Sequence, residues 1–297
     1  KDIFRNSFRS VDNMAVSSTS TENGDNDLHQ KIDKSSSPHD HANNKNINAE
    51  ELLPELRKEL GSEVVEGVTD KNLLKFLRWK HCVKRASERF RAHITWRKKN
   101  QFAFDDANQP LLCSQNDELK RLLESEVIIV PEDLIAKDGS AVCLTRFRYN
   151  NLEDGRTSEG IVQMALYTID RLLERDEAQI HGVTIIHDMK DATRNNVDIQ
   201  AAKIMARALI GHFPIQIKAV YILEGPWFMK AIVKLLQTLG IMTKKVSKRI
   251  HFVDDIEEVY DVVDKDVLLE EHGGTLIYDQ SEWVLKQMER EKDNTIE

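Results

Sequence analysis

Between residues 49 and 105, apolar positions recur every three or four residues, and polar positions fill the intervals. Within residues 70–80 the apolar set is Leu73, Leu74, Phe76 and Leu77. This spacing places them on one face of a helix, and Thr69 is a residue type that caps helix N-termini. Residues 83–99 repeat the pattern after a short turn. The sequence therefore predicts a helical N-terminal bundle over residues 49–105.

The first 48 residues lack this periodicity and are rich in Ser, Asn, Asp and His. A segment with so few large apolar side chains cannot offset the entropy lost on ordering. Residues 1–48 are therefore predicted to form a disordered tail. His39 and His41 flank Asp40 within it, but two histidines in a flexible segment make a weak metal site, so no metal is expected.

From residue 126 onward, apolar runs alternate with stretches of helical periodicity. Strand-like runs occupy residues 127–130, 141–148, 183–188, 217–223 and 249–253, and helical spacing covers 161–177 and 199–209. Near-continuous apolar runs are typical of strands covered on both faces, and the alternation favours parallel strands with right-handed crossovers. The predicted class is α/β, a mostly parallel sheet with covering helices over residues 120–285. A flexible C-terminal end is expected at 286–297.

The segment that follows Gly225 and Pro226 has an unusually wide apolar face. Helical spacing puts Phe228, Ile232, Leu235, Leu236 and Leu239 on one side, and Trp227, Met229 and Val233 widen the arc. Such a helix can close over an apolar cavity, or it can simply pack on the sheet like any covering helix. The pattern alone leaves both interpretations open.

Composition and charge narrow the function classes. The 297 residues are 40% hydrophobic and 31% charged, with a net charge of -8, and no run has the eighteen or so apolar residues of a membrane span. Three cysteines without disulfide or metal spacing fit a reducing, cytoplasmic setting. Residues 71–99 hold eleven basic side chains and one acidic one. This stretch indicates an anionic partner, either a phospholipid surface or nucleic acid, unless it is only a solvated face.

The sequence offers little support for catalysis. It contains no dinucleotide fingerprint, phosphate loop, nucleophile elbow or zinc-protease motif. His187 and Asp188 are adjacent on a predicted strand, so they point to opposite faces and cannot readily pair with each other. His212, His251 and His272 have no evident partner in the sequence. We therefore expect no enzyme and no cofactor.

Five segments, in order, resemble the CRAL-TRIO lipid-binding family. They are residues 73–82, the strand at 185–188, Phe213 and Pro214 leading into 217–223, Gly225 and Pro226 opening the apolar helix, and residues 268–274. The resemblance covers roughly residues 50–285 and lies closer to the tocopherol and retinaldehyde carriers than to the yeast-type phosphatidylinositol exchangers. The sequence departs from the family pattern at Glu224 and His272, which add polar character.

The resemblance implies that the apolar helix is a mobile gate over a lipid cavity. The implied cavity residues are Met164, Tyr167, Ile185, His187, Tyr221, Ile222, Phe228, Ile232, Leu235 and Leu236. A lipid with a polar group would need a polar anchor, because an unpaired buried polar group costs about 1 to 3 kcal/mol. Tyr167, Tyr221 and His187 are the candidates.

A basic patch follows the gate. Lys244, Lys245, Lys248 and Arg249 can share one helical face, and the resemblance adds Lys80 and Lys218 to a phosphoinositide-binding set. The expected protein is a monomeric cytoplasmic carrier of a small retinoid-like or tocopherol-like lipid. It would associate peripherally with endosomal or other phosphoinositide-bearing membranes. Alternatives are a phosphatidylinositol or phospholipid exchange protein, or an adaptor that uses the same fold to bind proteins. A nucleic-acid partner is not expected, because the basic stretch offers few aromatic side chains for stacking.

Overall fold

The computed structural model describes residues 48–62, 68–100 and 111–294. These ranges belong to one compact unit, residues 47–297. Residues 1–47 of the predicted tail lie outside them, as do residues 63–67 and 101–105 of the predicted bundle. Asn48, the last residue of the predicted tail, caps the first helix by accepting a hydrogen bond from the Glu50 amide.

Among the described residues, the N-terminal part contains three α-helices: α1 (Ala49–Leu60), α2 (Asp70–Lys80) and α3 (Val83–Lys99). Thr69 caps α2 by accepting a hydrogen bond from the Asn72 amide, as its residue type predicts. His81 ends α2 in a left-handed conformation with φ 51°. The apolar stripes of the three helices meet in one buried cluster, which contains Leu56, Leu60, Leu73, Phe76, Leu77 and Phe90.

A five-stranded sheet forms the centre of the rest of the unit. Its strands are β1 (Ile128–Ile129), β2 (Ala141–Arg146), β3 (Val183–Asp188), β4 (Ile217–Leu223) and β5 (Ile250–Val253), in the order β1-β2-β3-β4-β5. Only β1 pairs antiparallel, and the other three pairings are parallel. This confirms the predicted mostly parallel α/β fold.

Eight helices connect and cover the strands. They are α4 (Asp117–Glu124), α5 (Ser158–Leu172), α6 (Asp176–Ile180), α7 (Ile199–Arg207), α8 (Trp227–Thr238), α9 (Lys244–Ser247), α10 (Ile256–Val259) and α11 (Gln280–Asn294). Within the described parts of the chain, none of the helices has both the length and the apolar composition needed to cross a bilayer.

The two faces of the sheet pack in separate clusters. On the helix-covered face, Cys143 and Ile185 pack with α5 and α7, and Ile222 packs with α8. On the opposite face, Leu144 and Ile186 pack with residues of the C-terminal segment. Side chains alternate between faces along each strand. Alternate residues of each strand therefore pack either against the covering helices or against the C-terminal segment.

The last helix, α11, is held against α5 by a buried carboxylate. Glu291 is 3% exposed and accepts hydrogen bonds from the Tyr167 hydroxyl at 2.7 Å and from the Ser114 amide at 2.8 Å. The Cys113 amide donates to it as well, at 3.2 Å. Residues 286–294 are thus part of a docked helix, in contrast to the flexible end expected from the sequence. Residues 295–297 of that expected end lie outside the described residues.

Replacing this carboxylate tests whether it secures α11. Glu291→Leu should lower the free energy of unfolding by about 2 to 4 kcal/mol, because it removes the acceptor of three buried donors. Chemical denaturation measures the change. Glu289→Leu, an exposed position of the same helix, is the control and should change the value by less than about 0.5 kcal/mol. Equal effects of the two substitutions would contradict the assignment.

Candidate functional site

Helix α8 covers the sheet incompletely. It begins after Pro226, whose φ of -61° suits a helix entry. Of its twelve residues, only Met229 and Leu236 are buried. Phe228, Ile232, Val233 and Leu235 are half-buried, and Trp227 is 64% exposed. A helix packed tightly on a sheet would bury its central apolar stripe, so α8 leaves apolar surface accessible beneath and around it.

The elements around α8 show the same incomplete burial. The half-buried apolar side chains on them are Ile204 and Met205 of α7, Leu209 just after it, Val220 of β4, and Ile250 and Phe252 of β5. Val220 packs both against the cluster beneath α7 and against the cluster beneath α8. These side chains, together with those of α8, form a partly accessible apolar region between α7, α8 and the sheet, which we call the α7/α8 cleft.

The structure brings most of the sequence-predicted cavity residues to this side of the sheet. Ile222 packs beneath α8 with Met229, and Phe228 and Ile232 pack against the same cluster. Leu235 is half-buried and Leu236 is buried on the same helix. His187 shares the face of Ile222, its register partner. Ile185 and Met164 lie deeper, in the cluster formed with α5.

Two of the predicted cavity residues, Tyr221 and Tyr167, lie outside the α7/α8 cleft, so their assignment to it is wrong. Tyr221 lies on the opposite face of the sheet, where its ring stacks on His251 at a centroid distance of 5.0 Å. Tyr167 contacts Cys113 and Glu291 beside α11, and its ring packs edge-on to Trp283. Burial and these hydrogen-bonding partners raise the pKa of the Tyr167 hydroxyl far above its usual range. Neither tyrosine is an anchor for a ligand in the α7/α8 cleft.

The predicted basic patch is only partly assembled. Lys244, Lys245 and Lys248 are exposed on α9 and the turn after it. Arg249 follows directly, and its guanidinium donates to the Ile217 carbonyl of the neighbouring strand, next to exposed Lys218. Lys80 lies on another element, at the end of α2, with its ammonium 3.7 Å from the centroid of the Trp79 ring.

A buried ionic network that no sequence pattern predicts lies at the carboxyl ends of the strands. Asp188, 1% exposed, accepts hydrogen bonds from His272 Nε2 at 3.1 Å, Arg148 Nη1 at 2.6 Å and the Lys190 amide at 2.9 Å. Arg148 also pairs with Glu271. His272 therefore has a partner, contrary to the expectation from sequence. The two residues are 84 positions apart, and no local pattern links them.

This network borders a polar pocket of about 250 Å³, which also contacts Glu224 and Leu223 just before α8. Potential ligand atoms of Asp188, Glu271 and His272 lie within 4.8 Å of one another. The guanidinium of Arg148 bridges the two carboxylates, and Arg146 also pairs with Glu271, so two positive charges balance the two negative ones. The set is therefore an ion-pair network rather than a metal centre.

Comparison with known proteins agrees with this architecture. Residues 132–274 match the family model described as the CRAL/TRIO domain. A CRAL-TRIO domain-containing protein of Schizosaccharomyces pombe is 23% identical over 204 residues, 68% of this chain and 45% of that protein. A human protein named alpha-tocopherol transfer protein-like is 26% identical over 117 residues, 37% of this chain and 33% of that protein. The crystal structure of Sfh5 aligns with a TM-score of 0.48 and 12% identity, covering 81% of this chain and 94% of that chain.

The chain therefore contains a CRAL/TRIO domain, which confirms the resemblance found in the sequence. The matched segments span less than half of the two curated relatives.

The ionic network gives a prediction for stability and its pH dependence. Burial alone would raise the pKa of Asp188, but the hydrogen bonds from His272, the Lys190 amide and Arg148 outweigh it, and the pKa is lowered. A lowered folded-state pKa means that the stabilisation is present above the ordinary carboxyl value of about 4 and is lost as the pH falls below it. Asp188→Asn should lower the free energy of unfolding at pH 7 by about 2 to 4 kcal/mol.

Chemical denaturation between roughly pH 7 and pH 3 measures this effect. The difference between wild type and Asp188→Asn should shrink as the pH falls through the acidic end of that range. Asp191→Asn is the control, since Asp191 is exposed and lines the same pocket. A difference for Asp188→Asn that stays constant down to pH 3 would show that the carboxylate charge is not what stabilises the network.

Proposed function

We propose that this protein binds a small hydrophobic lipid in the α7/α8 cleft and transfers it between membranes, with α8 as the gate. The observation that carries the proposal is the half-buried apolar lining contributed by α7, α8, β4 and β5. Ligand sites are concave and mostly apolar, and a bound lipid would cover the surface that the protein itself leaves accessible. A retinoid-like or tocopherol-like molecule suits such a site, and no chemical step is required.

Gate opening would be coupled to a membrane. Trp227, 64% exposed, and Leu239, 43% exposed, lie at the two ends of α8. Tryptophan favours the membrane–water interface, and an amphipathic helix can lie in it with its apolar face buried. A membrane that binds the open gate better than the closed one would shift the population toward exchange. The protein would work from the cytoplasm as a monomer that associates peripherally and reversibly with membranes.

The basic patch would add attraction to phosphoinositides. Lys244, Lys245 and Lys248 are exposed and directly follow the gate. Near an anionic leaflet each such residue contributes about 1 kcal/mol, so three give binding that is useful yet reversible. Arg249 and Lys218, on neighbouring strands, would extend this surface, and Lys80 is the least connected member of the set.

Filling the cleft distinguishes a cavity from a packed core. Val220→Trp places a large ring at the junction of the two clusters. We expect it to reduce lipid uptake from vesicles at least tenfold while lowering the free energy of unfolding by less than about 1 kcal/mol. In a packed core the same overpacking would cost about 1 to 3 kcal/mol.

Uptake is measured as lipid retained after vesicles are removed, and the lipid is identified by mass spectrometry. Ile180→Trp, at a position 60% exposed, is the control and should leave uptake unchanged. Strong destabilisation by Val220→Trp would show that α8 packs on the sheet like an ordinary covering helix. Wild-type protein that neither carries nor takes up lipid would favour the adaptor function instead.

Removing the basic patch tests whether it binds phosphoinositide-containing membranes. The triple variant Lys244→Ala, Lys245→Ala, Lys248→Ala should weaken flotation with phosphoinositide-containing vesicles on the order of 100-fold. The control is Lys58→Ala, Lys84→Ala, Lys98→Ala, which removes the same charge from exposed positions of the N-terminal helices. If the control loses as much binding as the patch variant, the basic helices rather than the patch contact the membrane.

A further inference from the structure

The helix-covered face of the sheet contains a polar pair among apolar side chains. Thr145 of β2 and His187 of β3 are register partners in the parallel pairing, so their side chains lie side by side on the same face. The neighbouring positions on this face are Cys143, Ile185 and Ile222. His187 is one of the three polar anchors expected from the sequence, and Thr145 is not among them.

The imidazole of His187 has an unsatisfied hydrogen-bonding atom. Its Nδ1 is buried and makes no hydrogen bond to any described residue. The ring packs edge-on to Phe147 at a centroid distance of 5.3 Å and is only half-buried. Burial lowers the pKa of His187 to about 4, so the imidazole is neutral at pH 7 and offers one donor and one acceptor.

The other candidate anchors already have partners or lie elsewhere. The hydroxyl of Tyr167 donates to Glu291 beside α11, and Tyr221 stacks on His251 on the opposite face. His187 is the remaining candidate, and the strand register places Thr145, 6% exposed, beside it. A buried polar atom without a partner is unfavourable in the empty protein, and a ligand group that hydrogen-bonds to it removes that cost.

We propose that Thr145 and His187 form the polar end of the α7/α8 cleft and select an uncharged lipid that carries a hydroxyl group. This inference rests on the proposed lipid-binding function. A hydroxyl can donate to one of these side chains and accept from the other. Both partners are neutral, so a formally charged group placed there would be desolvated without an opposite charge to compensate it.

Matched ligand pairs test the inference. Phosphatidylcholine vesicles would carry octadecanol, cholesterol or α-tocopherol, each compared with its own methyl ether. An ether keeps the shape and the acceptor but loses the donor. The wild-type protein should take up at least one alcohol about tenfold more than its ether, the discrimination expected for one hydrogen bond to a buried group.

The variants His187→Phe and Thr145→Val keep the size and remove the polar atoms. Each should lower uptake of the preferred alcohol about tenfold. The ether can only accept, so its uptake should fall at most in the one variant that removes its donor and stay unchanged in the other. Tyr221→Phe, which removes a hydroxyl from the opposite face of the sheet, is the control and should change neither. Thermal unfolding without lipid should show His187→Phe to be at least as stable as wild type, because the substitution removes an unpartnered buried atom.

The outcomes separate this inference from the function on which it rests. Equal uptake of alcohol and ether, or binding of charged lipids alone, would overturn the polar subsite and leave the cleft as a lipid site. Loss of ether uptake in both His187→Phe and Thr145→Val would show that the two side chains serve packing, because the ether can accept from only one of them. No uptake of either member of any pair, together with no co-purifying lipid, would overturn the carrier function itself.

Discussion

Successive side chains of a β-strand point to opposite faces of the sheet, and the end of β3 uses this alternation to separate two kinds of environment. His187 faces the side covered by α8, where its ring packs against Phe147 and most neighbours are apolar. Asp188, the next residue, faces the other side and is buried in the network with Arg148 and His272. Because the two are only one residue apart, a one-residue shift of strand register would exchange a neutral imidazole for a carboxylate in the cleft. The register of β3 with β2 and β4 therefore fixes the chemistry of the site.

The ionic network and the start of helix α8 lie next to each other at the carboxyl end of β4. Glu224 borders the polar pocket and has a φ of 49°, a left-handed conformation that is uncommon for residues other than glycine. A Cβ on Gly225 would come within 2.8 Å of a methyl carbon of Ile222, so the chain needs glycine to pass so close to the cleft floor. Helix α8 thus begins at a tightly constrained turn, next to buried charges that hold the strand ends in place.

The sequence predicted elements better than side-chain partners, and the reason is physical. Periodicity reports which residues share a face, and it correctly located the helices of the N-terminal part, the parallel strands and α8. It does not say which of two faces is which, and this is why Tyr221 was assigned to the cleft. It also carries no information about distant partners. Tyr167 is held by Glu291, 124 positions away, and Asp188 by His272, 84 positions away. Helical spacing alone grouped Lys244, Lys245, Lys248 and Arg249, whereas Lys218 was expected beside them only from the family resemblance, because their proximity depends on the pairing of β4 with β5.

The packing of α8 is consistent with a helix that can leave the sheet. Fully burying a large apolar side chain stabilises a fold by about 1.5 to 3 kcal/mol, and α8 buries only Met229 and Leu236. Its half-buried residues contribute less than buried ones, so α8 is held on the sheet more weakly than a covering helix with a fully buried apolar stripe. A bilayer that accepts the apolar surface of α8, including Trp227, can compensate for the loss of these contacts. Incomplete burial therefore serves both parts of the proposed cycle. It leaves room for a lipid when the gate is closed, and it lowers the free energy needed to open the gate at a membrane.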